Sequence, residues 1–440
     1  MTIARNDLLA KLPVSELNAS LEQFLRPVTD LLPDPRLRPV TELMVRGMVT
    51  SQSPVVTRMA RGASHLEARV WPTGMRGYRF LANSRFSYRT LCKGLYRVAQ
   101  VTVATYRPTR LVIAIDPVNF EKPYTHQAEG VSTVMKSTPP GLKGEKRLTR
   151  GYPAITATLV NLPQIAISYA QWFSYLSPDF LSQNREIERA IRMSRAVFPE
   201  EKLRFVGDAG LDDQKVFAQV DRVQAEFVIR ACHDRQIEVY NDRLKRGEPE
   251  ALFDLVASVP FQFTRRVEFT HAGRTRRVLI QFGWFKVRLP ETQQVLWVVV
   301  AHDSDRQHDL VLITNVPLNT ARLVREVYTD WRQRSYVEHG YRFDQEQGLD
   351  VEDVRVSTLE RMRRLFVLVR LAAQFVTQID HHWPRAAVTW LRTLGGKLGL
   401  STDRDGLYLL LRGISAVWQT VSTLTFVQHH PFPRKILTCV

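Results

Sequence analysis

Two short apolar segments of this 440-residue chain end in the same way, each with an aspartate directly after a run of β-forming residues. The first is LVIAI at 111 to 115, which is followed by Asp116, and the second is LRFVG at 203 to 207, which is followed by Asp208. A carboxylate at the end of a strand lies at the rim of a sheet, where active sites collect. The pattern therefore predicts a sheet that presents two carboxylates at its edge.

The segments around these strands predict the rest of an α/β layer. Further strand-like runs are AITATLV at 154 to 160 and QIAISYA at 164 to 170. The segment SQNREIERAIRMSRAVF begins with a serine that can cap a helix and has the pattern of an amphipathic helix. After Asp208 come a second helix, LDDQKVFAQV, and another strand, EFVIRA. We therefore predict an α/β fold class.

The remaining chain divides into helical and β-rich regions. Before residue 106, apolar residues recur at helical spacing between prolines, which predicts a separate helical unit. Within that unit, residues 53 to 70 fit a helix-turn-helix as well as they fit a plain packing bundle. The predicted units are a helical N-terminal domain at 1 to 105, an α/β core at 106 to 244, a β-rich insertion at 245 to 320, core helices at 321 to 380, and a helical C-terminal region at 381 to 440.

The charge balance favours a polyanionic partner. Lysine and arginine outnumber aspartate and glutamate by 61 to 44, which gives a net charge of +17. This charge would suit a nucleic acid backbone, and it would equally suit ribosomes or an anionic membrane surface. Apolar runs such as that at 295 to 301 are too short to span a bilayer, and three scattered cysteines exclude a disulfide framework. We expect a cytoplasmic protein without a membrane span.

Each aspartate taken alone also has an ordinary structural interpretation. Asp116 precedes Pro117 and fits the opening of a turn. Asp208 fits a helix N-cap, although Asp212 or Asp213 could cap the following helix instead. Two such positions within one sheet favour a shared function without deciding it.

A third carboxylate lies on a polar stripe of the long helix that is predicted after residue 320. Steps of 3, 4, 4 and 3 residues place five side chains within an arc of roughly 80° on that helix. These residues are Trp331, Arg334, Glu338, Arg342 and Gln345. The alternative is a solvated face with an ion pair between Arg334 and Glu338, four residues apart.

Three carboxylates suit Mg²⁺, which prefers oxygen ligands and leaves positions for water and a substrate phosphate. Two such ions, held by Asp116, Asp208 and Glu338, would grip the attacking and leaving oxygens of an in-line displacement at phosphorus. Arg334 and Arg342 could then contact non-bridging phosphate oxygens. The residues predict a phosphoryl-transfer site with two Mg²⁺ ions, for which Mn²⁺ would substitute.

In the order and context of these residues, the chain resembles the bacterial insertion-sequence DDE transposases. The third acid of that family lies in a signature of Tyr, two residues, Arg, three residues, Glu, six residues and Lys. Here Trp331 replaces the Tyr and Gln345 replaces the Lys, while Arg334 and Glu338 keep their spacing. The resemblance runs from 106 to 380, and it implies an RNase H-like catalytic core with a β-rich insertion before the last catalytic helix.

The resemblance also implies an activity and a partner. Such an enzyme hydrolyses DNA at the terminal inverted repeats of its element and transfers the 3′-hydroxyl into target DNA, as a homodimer on DNA in the bacterial nucleoid. The N-terminal region would help to bind the ends, and Trp331, Arg334, Arg342 and Gln345 would contact DNA near the cut. The alternatives are a transposase-derived DNA-binding protein without catalysis and another RNase H-like nuclease.

Two further basic groups are candidates for contacts with DNA. A segment with prolines and glycines predicts a loop beside the sheet, and we expect its Lys143, Lys146 and Arg147 to hold flanking DNA. The run RMRR at 361 to 364 fits a DNA contact or a solvated helix face equally well.

Overall fold

The computed structural model describes residues 11–64, 67–123, 125, 127–136, 147–239, 248–271, 274–303, 309–344, 348–397 and 406–429. In these residues the chain forms an α/β fold, in which one large mixed sheet is packed by helices. Buried apolar residues of the sheet and of the helices at both ends of the chain form one continuous core.

Helices come first, as the sequence predicts for the described part of residues 1 to 105. Three prolines lie at or just before the starts of helical segments, where the backbone N–H has no partner within the helix and its loss costs nothing. They are Pro13, Pro35 and Pro39. The helices are α1 (Val14–Thr29), α2 (Arg38–Ser51), α3 (Val56–Ala63), α4 (Val70–Leu81) and α5 (Tyr88–Tyr106).

The centre of the sheet confirms the predicted strands. The elements are β1 (Leu111–Glu121), β2 (Ser132–Lys136), β3 (Arg147–Leu159), β4 (Ala166–Trp172), α6 (Gln183–Val197), β5 (Leu203–Gly207), α7 (Gln214–Arg222) and β6 (Glu226–Arg230). Strand β3 pairs antiparallel with both β1 and β4, while β5 pairs in parallel with both β1 and β6. Ser182 caps α6 through a hydrogen bond from the Arg185 N–H, as its sequence predicts.

The region from 245 to 320 is β-rich, and its strands extend the same sheet. The elements are β7 (Gln236–Val239), β8 (Glu250–Ala251), α8 (Leu252–Val256), β9 (Phe263–His271), β10 (Arg274–Arg288), β11 (Val295–Asp303) and β12 (Leu310–Thr314). Strand β12 pairs with β6, and the order continues through β11 and β10 to β7 and β8, with β9 on β10.

The final helices correct one prediction. They are α9 (Ala321–Arg332), α10 (Ser335–Asp344), α11 (Leu359–His382), α12 (Arg385–Lys397) and α13 (Gly406–His429). The single long helix predicted after residue 320 is wrong, because it breaks between Arg332 and Ser335. There the N–H of Arg334 bonds to the Trp331 carbonyl, and the N–H of Val337 bonds to the Arg334 carbonyl. These bonds span three residues instead of four, so the turn is tighter than an α-helix.

The N-terminal helices pack against the sheet and against helices from the other end of the chain. Helix α5 lies against β4 and α11, and α2 lies against α11 and α13. Arg364 of α11 is buried and donates hydrogen bonds to the carbonyls of Phe80, Leu81 and Phe86. The two ends of the chain therefore share one core. None of the described helices is long and apolar enough to cross a membrane.

The contacts of Arg364 lead to a stability prediction. Arg364→Met removes a guanidinium donor from three buried carbonyls and the ion-pair partner of Glu360, and we expect the free energy of unfolding to fall by about 3–5 kcal/mol in urea denaturation. Arg361→Met is the matched control, because Arg361 is half-buried on the same helix and should cost under about 1 kcal/mol. Equal losses in the two variants would contradict this role of Arg364.

Candidate active site

The pairing of β1 with β5 brings the two predicted aspartates to the same level of the sheet. The strands are parallel, and Ala114 lies opposite Val206. Asp116 and Asp208 each follow two residues later, so they lie next to each other where β5 ends. Asp116 is not in a turn, since β1 continues to Glu121 in register with β3.

Asp208 also acts as a cap, which is the ordinary structural role that its position in the sequence allows. Its Oδ1 accepts a hydrogen bond from the N–H of Gly210 at 3.0 Å and so caps the short 3₁₀ turn Ala209–Leu211. Helix α7 has its own cap, Asp213, which accepts from the N–H of Lys215 at 2.7 Å. Asp208 is therefore oriented by the turn that follows β5, and it is not needed to cap α7.

Glu338 lies in the first turn of α10, and an arginine links it to the sheet. Arg334 Nη2 lies 2.9 Å from Glu338 Oε1, and Arg334 Nη1 lies 3.7 Å from Asp116 Oδ1. The ion pair between Arg334 and Glu338 that the sequence allows is therefore present. The same guanidinium also bridges to Asp116, so Glu338 and Asp116 face a common site.

The electrostatics of Asp116 connect all three acids. Burial raises the pKa of Asp116 to about 7, the Arg334 guanidinium acts to lower this pKa, and the carboxylates of Asp208 and Glu338 raise it. Burial is the largest of these causes, and the two carboxylates add to it because like charges disfavour ionisation. A carboxyl with a strongly shifted pKa beside two other acids is typical of a functional site.

The three acids have the ligand chemistry of a site for a hard divalent cation. Carboxylate oxygens are the preferred ligands of Mg²⁺, and a cation would relieve the repulsion that raises the pKa of Asp116. Across the described ranges, no three His, Cys, Asp or Glu side chains are grouped closely enough to hold one ion together. The Arg334 guanidinium instead bridges Asp116 and Glu338. Metal binding at these acids thus requires Glu338 to exchange Arg334 for the ion.

Two aromatic residues complete the site in a way that sequence reasoning missed. The indole N–H of Trp331 donates to the carbonyl of Gly207 at 2.8 Å. The hydroxyl of Tyr341 donates to the carbonyl of Asp116 at 2.7 Å. The indole N–H of Trp331, which was expected to contact DNA, is therefore engaged within the protein. The one signal for Tyr341 was its position three residues after Glu338, on the same side of a helix.

The other residues that were predicted to contact DNA are partly exposed, partly engaged within the protein and partly outside the described residues. Arg147 is exposed at the start of β3 and pairs with Glu121. Lys143, Lys146 and Gln345 lie outside the described residues, as does the side chain of Arg342. In the run at 361 to 364, Arg363 is half-buried and donates to the carbonyl of Trp172 at 2.7 Å. Arg364 is buried, so it does not belong to a solvated helix face.

Comparison with known proteins gives one distant structural likeness. No protein-family model matches the chain. No curated protein matches it either. Among solved structures, it is similar to the piggyBac transposase in a synaptic complex with hairpin DNA, at 7% sequence identity and a TM-score of 0.37. That match covers 97% of this chain and 81% of the other chain. This distant likeness carries no argument about function, and any function proposed for this protein rests on the geometry of the site.

The raised pKa of Asp116 predicts how stability depends on pH. The protonated carboxyl stabilises the fold relative to the ionised one, and this contribution is complete below about pH 4 and is lost as the pH rises through about 7. Asp116→Asn cannot ionise, so we expect it to be more stable than wild type by about 2–4 kcal/mol at pH 8.5.

The measurement is urea denaturation of both proteins between pH 4 and pH 8.5. The difference between wild type and Asp116→Asn should disappear towards pH 4. The exposed Asp254 provides the control, and Asp254→Asn should show no such pH dependence. A difference for Asp116→Asn that stays constant with pH would refute the raised pKa.

Proposed function

We propose that this protein is a metal-dependent DNA transposase that cuts DNA at the ends of a mobile element and joins the freed 3′-hydroxyl to target DNA. The observation that carries the proposal is the arrangement of three acids from three elements: Arg334 bridges Asp116 and Glu338, and Asp208 follows the strand that neighbours Asp116. A homodimer on DNA is part of the proposal, because both ends of an element have to be cut and joined together.

The strand arrangement supports the catalytic core that the family resemblance implies. Three antiparallel strands and two parallel ones adjoin in the order β4-β3-β1-β5-β6, with one acid on β1 and one directly after β5. Glu338 comes from a helix that follows the β-rich region at 245 to 320. This order supports an RNase H-like core that is interrupted by an insertion before its last catalytic helix.

The chain's own residues have distinct roles in this chemistry. When bound, Mg²⁺ or Mn²⁺ ions activate a water or 3′-hydroxyl and stabilise the leaving oxygen. Asp116 and Asp208 supply carboxylates from the rigid sheet, and Asp116 has to lose its proton before it can be a ligand. Glu338 supplies the third carboxylate. Arg334, once released from Glu338, can donate to the non-bridging oxygens of the scissile phosphate.

Single substitutions of the acids test the proposal. Asp116→Ala, Asp208→Ala and Glu338→Ala should each lower the rate of Mn²⁺-dependent cleavage by about a thousandfold or more, because the three act as a unit. The substrate is duplex DNA that carries the inverted repeats flanking the coding sequence, and cleavage is followed on gels. Glu326→Ala on α9 is the matched control and should cleave as wild type does. Retained cleavage in any acid variant would overturn the assignment.

A surface on the N-terminal helices supports DNA as the partner. Helices α3 and α4 pack on each other. Arginines on this helical pair are exposed, and the described part of the chain offers them no ion-pair partner: Arg61, Arg69, Arg76 and Arg79. Trp71 projects from the same pair with 72% of its surface exposed. Unpaired arginines around an exposed indole suit a nucleic acid, because they can neutralise phosphates while the ring stacks on a base or sugar.

The same surface is joined to the candidate active site. Arg58 of α3 forms an ion pair with Asp353 at 2.7 Å, and Asp353 lies in the segment that follows α10. In that segment, Glu352 accepts a hydrogen bond from the N–H of Glu121, at the end of β1. Five residues of β1 separate Glu121 from Asp116, which is about 17 Å of extended chain. A duplex cut at Asp116 can therefore extend to the surface of α3 and α4.

Removing charge from this surface should weaken DNA binding without affecting the acids. For the double variant Arg76→Ala/Arg79→Ala we expect roughly tenfold weaker duplex binding. The slope of the logarithm of the binding constant against the logarithm of the KCl concentration should become shallower by about 2. The measurement is fluorescence anisotropy with labelled duplex DNA at several KCl concentrations. Arg192→Ala/Arg222→Ala removes two exposed arginines from α6 and α7, so it is the matched control. Equal weakening in both double variants would contradict a specific surface.

A second candidate function is a DNA-binding protein that no longer catalyses. The observation that favours it is the Arg334 guanidinium, which takes the position of a cation between Asp116 and Glu338. Titration of the wild-type protein with Mn²⁺ separates the two functions. Uptake of Mn²⁺ that is lost in Asp116→Asn supports the enzyme, and the absence of uptake supports the binding protein.

A further inference from the structure

The segment from the end of α9 through α10, which carries Glu338, is attached to the sheet at two points, one on each side of that residue. Trp331 donates to the carbonyl of Gly207, the residue directly before Asp208. Tyr341 donates to the carbonyl of Asp116 itself. Each donor therefore reaches the backbone of one aspartate-bearing strand.

The hydroxyl of Tyr341 is part of a short hydrogen-bond chain. It lies 2.6 Å from the hydroxyl of Thr156, and Thr156 is the residue of β3 that lies opposite Asp116. A tyrosine hydroxyl has one proton, which Tyr341 gives to the Asp116 carbonyl, so Thr156 has to donate to Tyr341. Helix α10 is in this way hydrogen-bonded to two neighbouring strands at a single position of the sheet.

The ring of Tyr341 is held from its other sides. It is 4% exposed, and the guanidinium of Arg370 lies 5.3 Å from its centroid. Arg370 forms a buried ion pair with Asp344, the last residue of α10. Phe120 contacts the ring edge to face, with the centroids 6.4 Å apart. Tyr341 therefore cannot turn away without disrupting buried contacts of α10 and α11.

The site needs such restraint because its acids repel one another. Glu338 is on a helix of ten residues that follows the turn between α9 and α10, and its side chain is 49% exposed. Its ion pair with Arg334 is local, since both residues move with the same turn. The hydrogen bonds of Trp331 and Tyr341 cross from this segment to the strands. Contacts of that kind orient acidic ligands in metal sites.

We propose that Trp331 and Tyr341 are positioning residues, which set the placement of the Glu338 carboxylate relative to Asp116 and Asp208. This inference rests on the proposed function, since it treats the three acids as one metal site. Trp331 acts at β5 and Tyr341 acts at β1. Loss of either hydrogen bond lets α10 shift and separates the third ligand from the other two.

Tyr341→Phe is the first test, because it removes the hydroxyl and keeps the ring. The probe is Mn²⁺ alone, titrated into the full-length protein by calorimetry. We expect Mn²⁺ affinity to fall by roughly tenfold or more, as for other residues that orient metal ligands. Affinity for duplex DNA and the melting temperature without metal should stay close to wild type. Tyr336→Phe is the matched control, since Tyr336 is on the same helix and 65% exposed.

Trp331→Phe tests the second attachment in the same way. It removes the N–H donor to Gly207 and keeps an aromatic ring beside Arg334. Mn²⁺ affinity should fall in this variant and not in Trp390→Phe, whose indole is 44% exposed on α12. Wild-type affinity in both Tyr341→Phe and Trp331→Phe, or an equal loss in the control variants, would overturn the proposal.

Two further measurements separate positioning from a general structural role and from failure of the proposed function. The losses in Thr156→Val and Tyr341→Phe should not add in the double variant, because both residues act through one hydrogen-bond chain. Amide hydrogen exchange in Ser335–Asp344 should be faster in Tyr341→Phe than in Tyr336→Phe, whether or not metal binds. If the wild type takes up no Mn²⁺, the proposed function fails, while unchanged exchange in Tyr341→Phe refutes the attachment itself.

Discussion

The parallel pairing of β1 with β5 is the constraint on which the rest of this structure depends. Parallel neighbours cannot be joined by a tight turn, so the chain has to travel through other elements before it returns. Here β2, β3, β4 and α6 lie between the two strands. The register of the pair, with Ala114 opposite Val206, brings Asp116 level with Asp208. The other parts of the site then attach to these two strand ends, through Trp331 at Gly207 and Tyr341 at Asp116.

Charge in the site is balanced at some cost to the fold. Asp116 is buried near two other acids, and burial together with their repulsion keeps its pKa near 7 despite Arg334. Proteins commonly sacrifice stability at functional sites and recover it elsewhere. The recovery here comes from a core that runs continuously from the N-terminal helices through the sheet to α13. The Arg334 guanidinium between Asp116 and Glu338 also offsets part of the negative charge of the site.

Helix α11 connects the parts of the molecule that the proposed function uses. Its Arg364 binds the carbonyls that end α4 and the segment after it, and its Arg370 pairs with Asp344 at the end of α10. The two arginines are six residues apart on one buried helix. The basic surface on α3 and α4 and the helix of Glu338 are thus supported by the same element.

Local sequence determined the elements of this protein and the two aspartates at the sheet. The runs LVIAI and LRFVG are strands, and the helix capped by Ser182 is present, because periodicity and caps act over a few residues. The spacing of four residues also predicted the ion pair of Arg334 with Glu338, which is present although Arg334 lies in the turn before α10.

Tertiary structure alone decided the remainder. The break after Arg332, the burial of Arg364 and the partners of Trp331 and Tyr341 depend on groups far away in the chain. The sequence pattern does not distinguish Arg364 from a solvated arginine. Its burial is favourable because it bonds to the carbonyls of Phe80, Leu81 and Phe86 and to the carboxylate of Glu360. Tyr341 follows Glu338 in an ordinary helical pattern, and its role arises because the sheet brings the carbonyl of Asp116 to its hydroxyl. A sequence pattern reports the period of an element, whereas a hydrogen bond between elements depends on how they pack.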